Sequence, residues 1–103
     1  MDQERRWAPR FPFIASAEVL SESAGTRLVA RISDISASGC YVDTINPLTN
    51  GTRVRLKILT ETRVFEARAI VVYSHTDLRM GLVFGQILTK SKDVLQNWLP
   101  AAS

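Results

Sequence analysis

The chain has 103 residues, of which 46% are hydrophobic and 22% charged, and its formal net charge is +3. That balance suits one folded domain and excludes a disordered polar chain. No apolar run approaches the roughly 20 residues that a membrane-spanning helix needs, and MDQERRWAPR lacks the apolar stretch of a signal peptide.

Cys40 is the only cysteine, so no internal disulfide can form and a cytoplasmic setting is expected. The cations are ten arginines and three lysines. A guanidinium offers a planar donor fork that matches phosphate or a guanine edge and can stack on a base. Arginine is also an ordinary surface residue, and composition alone favours that reading.

In chain order, ERRWAPRF comes first, with Arg5, Arg6 and Arg10 around Trp7 and Pro9. Residues 1–12 read as a flexible basic arm. FIASAEVL (Phe13 to Leu20) reads as a strand and SESAG as a turn. TRLVARIS (Thr26 to Ser33) alternates Leu28, Ala30 and Ile32 against Arg27, Val29 and Arg31. GCYVD is a third strand, and NPLTNG, with its Asn50-Gly51 pair, is a strong turn signal. TRVRLKIL has the cleanest alternation, with Val54, Leu56 and Ile58 inward and Arg53, Arg55 and Lys57 toward water.

VFEARAIVVY puts Phe65, Ala67, Ala69, Val71 and Tyr73 on one face. Its other face turns from polar (Glu66, Arg68) to apolar (Ile70, Val72), which predicts cover on both sides of its second half. SHTDLR is a turn and MGLVF the last strand. In SKDVLQNWLP the period changes: Val94, Leu95, Trp98 and Leu99 fall at helical spacing. Ser91 reads as the N-cap, Asp93 lies in the first turn, and Pro100 ends the helix. Ile70 and Val72 are candidates for the surface this helix covers. Six short strands over 13–88 with regular turn signals predict a small barrel or sandwich, followed by a helix at 89–100, an all-β domain with one C-terminal helix.

Catalytic chemistry is poorly supplied. His75, the only histidine, lies in a turn, and Cys40 opens an apolar strand as a buried thiol would. No cluster has metal-ligand spacing, and no GxSxG, HExxH or P-loop lysine motif is present. The chain therefore reads as a non-enzyme without metal or cofactor. Two short segments remain. One is an RxxxR, Arg6 to Arg10; the other is a DxSxxG, Asp34-Ile35-Ser36-Ala37-Ser38-Gly39, between the second and third strands. Taken singly, the first occurs by chance in an arginine-rich chain. The second could be a turn, with Asp34 and Ser36 bonding their own backbone and Gly39 at positive φ.

Together, and in this order of strands, they resemble the PilZ domain, a bacterial family that binds the second messenger cyclic di-GMP. The resemblance runs from about Glu4 to Leu99 and extends to APRFPF, NGTRVRLKI and RMGLVF. It implies a six-stranded antiparallel PilZ-type β-barrel over 13–88 and a cyclic di-GMP site built from Arg6, Arg10, Asp34, Ser36 and Gly39. Arginines suit the ligand's phosphates and guanine O6 and N7. Asp34 would accept from guanine N1 and N2, Ser36 would bond the sugar-phosphate or base, and Gly39 would let a base approach the backbone. Arg5, just before the motif, would stack on a guanine and favour a stacked pair of ligands. Trp7 either stacks on a base or packs the arm against the barrel. The row of Arg53, Arg55 and Lys57 reads as a solvated face, and Trp98 as helix-to-barrel core.

The implied function is a receptor whose arm orders on the ligand and whose output reaches an unidentified effector protein in trans. A ligand-independent PilZ-like adaptor is the alternative, disfavoured because both motifs are intact. A general nucleic-acid binder is disfavoured because most aromatics fall in core phase.

Overall fold

The computed structural model describes residues 9–100. Among these residues six strands, β1 (Phe11–Ser21), β2 (Arg27–Ile35), β3 (Gly39–Asp43), β4 (Arg53–Leu59), β5 (Val64–His75) and β6 (Arg79–Ile87), precede one helix, α1 (Thr89–Trp98). The strands close into a barrel in the order β1-β2-β3-β6-β5-β4, with every neighbouring pair antiparallel. Closure comes from β1, which pairs with β2 along one edge and with β4 along the other. No sheet edge is then left to recruit a foreign strand.

Alternation builds the core. Val54, Leu56 and Ile58 of β4 point inward and are buried, while Arg53 and Arg55 are exposed between them. The facing strands supply small residues, Ala15 and Ala17 from β1 and Ala67 and Ala69 from β5, all buried. Small side chains opposite large ones are how a narrow barrel is filled without voids. Phe65, fully buried, occupies the end of the barrel from which β1 starts.

The helix closes that end rather than covering an outer face. Its start lies two residues after β6, so it cannot travel far from the barrel mouth. Val94 and Leu95 join the core, and Trp98 packs 4.9 Å from Phe13 and 6.1 Å from Phe65, centroid to centroid. Phe84 completes the cluster, 5.1 Å from Phe65. Ile70 and Val72, expected beneath the helix, are not its docking surface: Ile70 is half-buried and Val72 exposed.

The N-cap expectation also fails. The helix starts at Thr89 with Leu88 in the cap position and no side-chain cap, and no acidic residue lies in its first turn, which excludes Asp93 from it. Ser91 lies inside the helix, fully buried, and its Oγ accepts the backbone N–H of Glu66 at 2.9 Å. The Leu88 N–H donates to the Glu66 carbonyl at 3.2 Å, so both backbone groups of one β5 residue anchor the helix start. The other end behaves as expected. Leu99 is extended, φ −86° and ψ 146°, as a residue before proline should be.

Tyr73 departs from its predicted phase. The β5–β6 register slips between Val71 and Tyr73, so Val71 pairs with Leu82 and Tyr73 with the next residue, Gly81. The extra residue turns Tyr73 outward. Cys40 is buried on β3 as predicted; burial, and secondarily the Asp34 charge, push its thiol far above the usual range.

This packing sets three expected outcomes. Phe65→Ala should cost about 3–5 kcal/mol in urea unfolding, and a loss below about 1 kcal/mol would contradict a core position. Ser91→Ala leaves a buried N–H without its partner and should cost about 1–3 kcal/mol in the same assay. Cys40 should resist thiol reagents at neutral pH until the chain unfolds; rapid labelling of the native protein would contradict its burial.

Candidate functional site

The loop from β2 to β3 is a compact turn made by Ser36. Its Oγ accepts the backbone N–H groups of Ser38 and Gly39, each at 3.1 Å, and contacts the Ser38 hydroxyl and Gly39 carbonyl at 3.3 Å. The Ser36 N–H donates to the Gly39 carbonyl at 2.8 Å. This serine is 3% exposed and its hydroxyl is already engaged by its own loop, so it shapes the turn. Phe84 N–H then donates to the Ser38 carbonyl at 2.8 Å, fixing the turn to β6.

Gly39 is needed here for space rather than for a positive φ. The positive-φ glycines among the described residues are Gly25 and Gly51. A Cβ on Gly39 would overlap the Leu82 carbonyl oxygen and come within 3.1 Å of its carbon. Both are backbone atoms of β6 and cannot swing away, so only glycine lets β3 and β6 approach this closely.

Asp34 owes its position to irregular register. Ile32 and Ile35 are both fully buried although three residues apart, and the β2–β3 pairing slips between Ile32 and Asp34. Ser33 and Asp34 are thereby left half-buried on the outer face. Asp34 Oδ1 accepts the Tyr41 backbone N–H at 3.2 Å, which holds the carboxylate against β3.

Arg10 reaches this carboxylate because β1 begins earlier than the sequence suggests. Phe11 and Pro12 pair with Ile35 and Asp34, ahead of a bulge between Pro12 and Ala15. Arg10 therefore emerges beside the motif. Its Nε lies 3.8 Å from Asp34 Oδ2, an ion-pair distance longer than a hydrogen bond. Its guanidinium carbon sits 4.4 Å from the centroid of the Tyr41 ring, in cation–π range.

Tyr41 collects more than Arg10. The Arg79 guanidinium lies 5.0 Å from the same ring centroid. Tyr73, turned outward by its bulge, meets Tyr41 edge-on at 5.9 Å, and its hydroxyl lies 3.1 Å from His75 Nδ1. Gly81 makes room for both tyrosines: a Cβ there would sit 3.0 Å from Tyr41 Cε1 and 3.3 Å from Tyr73 Cβ. The result is an outward-facing shelf of two tyrosines and two arginines beside one carboxylate.

Of the residues named from sequence, Arg10, Asp34, Ser36 and Gly39 are thus brought to one corner of the barrel. Arg5, Arg6 and Trp7 lie outside the described residues. Sequence reasoning missed Tyr41, Tyr73 and Arg79. Alternation in GCYVD already placed Tyr41 outward between the inward Cys40 and Val42, and that signal could have identified it. Among the described residues no group of histidines, cysteines and carboxylates could hold a metal, and no helix is long and apolar enough to cross a membrane. A concavity of about 740 Å³ lies on the β1–β4–β5 side, lined among others by Glu18, Arg55, Lys57, Glu66 and Arg68. It shares no residue with the Asp34 corner, and its charges are mixed.

Comparison with known proteins agrees with the fold. No curated protein matches the sequence. Among solved structures, the chain is similar to the Bacillus subtilis inhibitor of motility MotI/DgrA, with TM-score 0.72 and 23% identity over 91% of this chain. It spans only 48% of MotI, about half that protein's length. It is also similar to the PilZ domain of CeSA from a cellulose-synthesising bacterium, with TM-score 0.69, 14% identity, and 88% of this chain and 94% of that one covered. A third is the PilZ domain of YcgR from Escherichia coli, solved with c-di-GMP, with TM-score 0.65, 16% identity, and 91% and 88% covered. At these identities the likeness is one of fold. The family model of the PilZ domain matches residues 4–100, nearly the whole chain, and the protein belongs to the PilZ domain family.

Proposed function

We propose that this chain is a cyclic di-GMP receptor that binds the nucleotide on the outer face of the barrel beside Asp34. One observation carries the reading: Arg10, the last residue of the RxxxR, lies 3.8 Å from Asp34, the first residue of the DxSxxG. Segments distant in sequence thereby form one constellation of guanidinium and carboxylate. Family membership supports it, since PilZ domains are regulatory binding modules. The YcgR PilZ domain, solved with c-di-GMP, has the same fold.

The ligand's own groups dictate the chemistry. Asp34 accepts from N1–H and N2–H of a guanine, a pairing with acceptors that adenine cannot satisfy. Arg10 bonds a phosphate or the O6/N7 edge. To do so it exchanges its contact with Asp34 for the ligand, an exchange eased because that contact is not a hydrogen bond. Ser36 and Gly39 keep the turn narrow so that a flat base can lie against it. Arg6 adds a second phosphate contact, and Arg5 stacks on a second guanine. Binding draws the arm across the barrel corner, and the altered surface is read by an effector protein in trans.

Calorimetric titration tests this directly. Cyclic di-GMP should bind with a micromolar to submicromolar Kd, about −8 to −9 kcal/mol, and GTP and cyclic di-AMP should bind far more weakly. The Arg6→Ala, Arg10→Ala double variant should lose at least about 100-fold, because each removes charge-assisted bonds. Undiminished binding by that variant would overturn the site. The wild-type chain should bind two nucleotides per site and Arg5→Ala one; equal stoichiometry would remove the role given to Arg5. A nucleotide-independent pulldown of a partner, with no calorimetric heat, would favour the adaptor reading instead.

A further inference from the structure

We propose that Arg79, held on the ring of Tyr41, is a further ligand-contacting guanidinium of this site and engages a phosphodiester oxygen of the bound nucleotide. The inference rests on the cyclic di-GMP reading but concerns residues outside both motifs. Its first support is position. Arg10 and Arg79 lie over the same ring, at 4.4 and 5.0 Å from its centroid. Their guanidinium carbons are therefore no further apart than the sum of those distances, a span that one dinucleotide can bridge.

The second support is charge. Arg79 is half-buried and makes no ion pair with a described residue. The carboxylate opposite it in the β3–β6 ladder, Asp43, is engaged elsewhere, by the Ser33 hydroxyl at 3.1 Å and Arg31 at 3.6 Å. A partly desolvated cation on a π face, with the carboxylate opposite it occupied, is suited to an incoming anion. Around the ring, Arg10, Arg31 and Arg79 outnumber Asp34 and Asp43, so the shelf favours a ligand that brings negative charge.

The third support is orientation. Tyr73 meets the Tyr41 ring edge-on, and both pack over the space left by Gly81. The ring is thus fixed by its neighbours and keeps the Arg79 guanidinium at the corner. Tyr41 acts as a positioning residue: its ring holds the guanidiniums.

Calorimetric titration of the full chain with cyclic di-GMP, run on single variants, separates the possibilities. Arg79→Ala should weaken binding by about 10- to 100-fold, with an unchanged circular-dichroism melting curve. Arg79→Gln, which keeps most of the stem, should weaken it comparably, and it stands in if the alanine variant is unstable. Tyr41→Leu should lose several-fold because no π face remains. If the wild-type chain binds and Arg10→Ala loses affinity, but folded Arg79→Ala or Arg79→Gln binds within twofold of wild type, this inference is wrong and the receptor reading survives. If the wild-type chain shows no binding, the receptor reading fails and takes this inference with it.

Discussion

The site depends on breaks in strand register. A regular strand shows alternate residues to the core and to water, and a single extra residue reverses that assignment for the rest of the strand. Of the four slips among the described residues, three bear on the site, between Pro12 and Ala15, between Ile32 and Asp34, and between Val71 and Tyr73; the fourth lies between Ala67 and Ala69. The first lies where β1 delivers Arg10 to the motif, the second leaves Asp34 on the outer face, and the third brings Tyr73 beside Tyr41. Without them, the barrel could keep much of its core while the corner lost its constellation.

The same end of the barrel carries the helix, and the two are joined by packing. Phe13 comes a few residues after Arg10 and packs against Trp98 with the rings tilted by 34°. Phe84, whose N–H holds the Ser38 carbonyl, packs on Phe65, which also meets Trp98. Aromatic pairs of this kind contribute about 0.5–1.5 kcal/mol each beyond the area they bury. The start of β1, the β6 residue that anchors the motif loop, and the helix therefore share one aromatic cluster.

Much of this was legible in the chain. The alternation of TRVRLKIL fixed the phase of β4, the Asn50-Gly51 pair marked its entry turn, and the helical spacing of Val94, Leu95 and Trp98 identified the face that enters the core. The RxxxR and DxSxxG motifs pointed to a corner where Arg10 and Asp34 do meet. The parts that stayed hidden had physical causes. A bulge has no mark in an apolar run such as IVVY, so Tyr73 was assigned inward. Ser91 has the chemistry of a cap, and sequence cannot tell a serine that begins a helix from one that docks it on a neighbouring strand. Gly39 looked like a turn glycine, whereas its need arises from Leu82, distant in sequence and adjacent only after closure.

The central claim is that a guanine nucleotide binds on the outer face at Arg10, Asp34 and Tyr41, away from the β1–β4–β5 concavity. Amide NMR of the labelled chain, titrated with cyclic di-GMP, tests it residue by residue. The account predicts saturable shifts concentrated at Arg10, from Asp34 to Tyr41, and around Arg79, with little change at Arg55, Lys57 and Arg68. Shifts centred on Arg55, Lys57 and Arg68, or no saturable shifts at all, would contradict it.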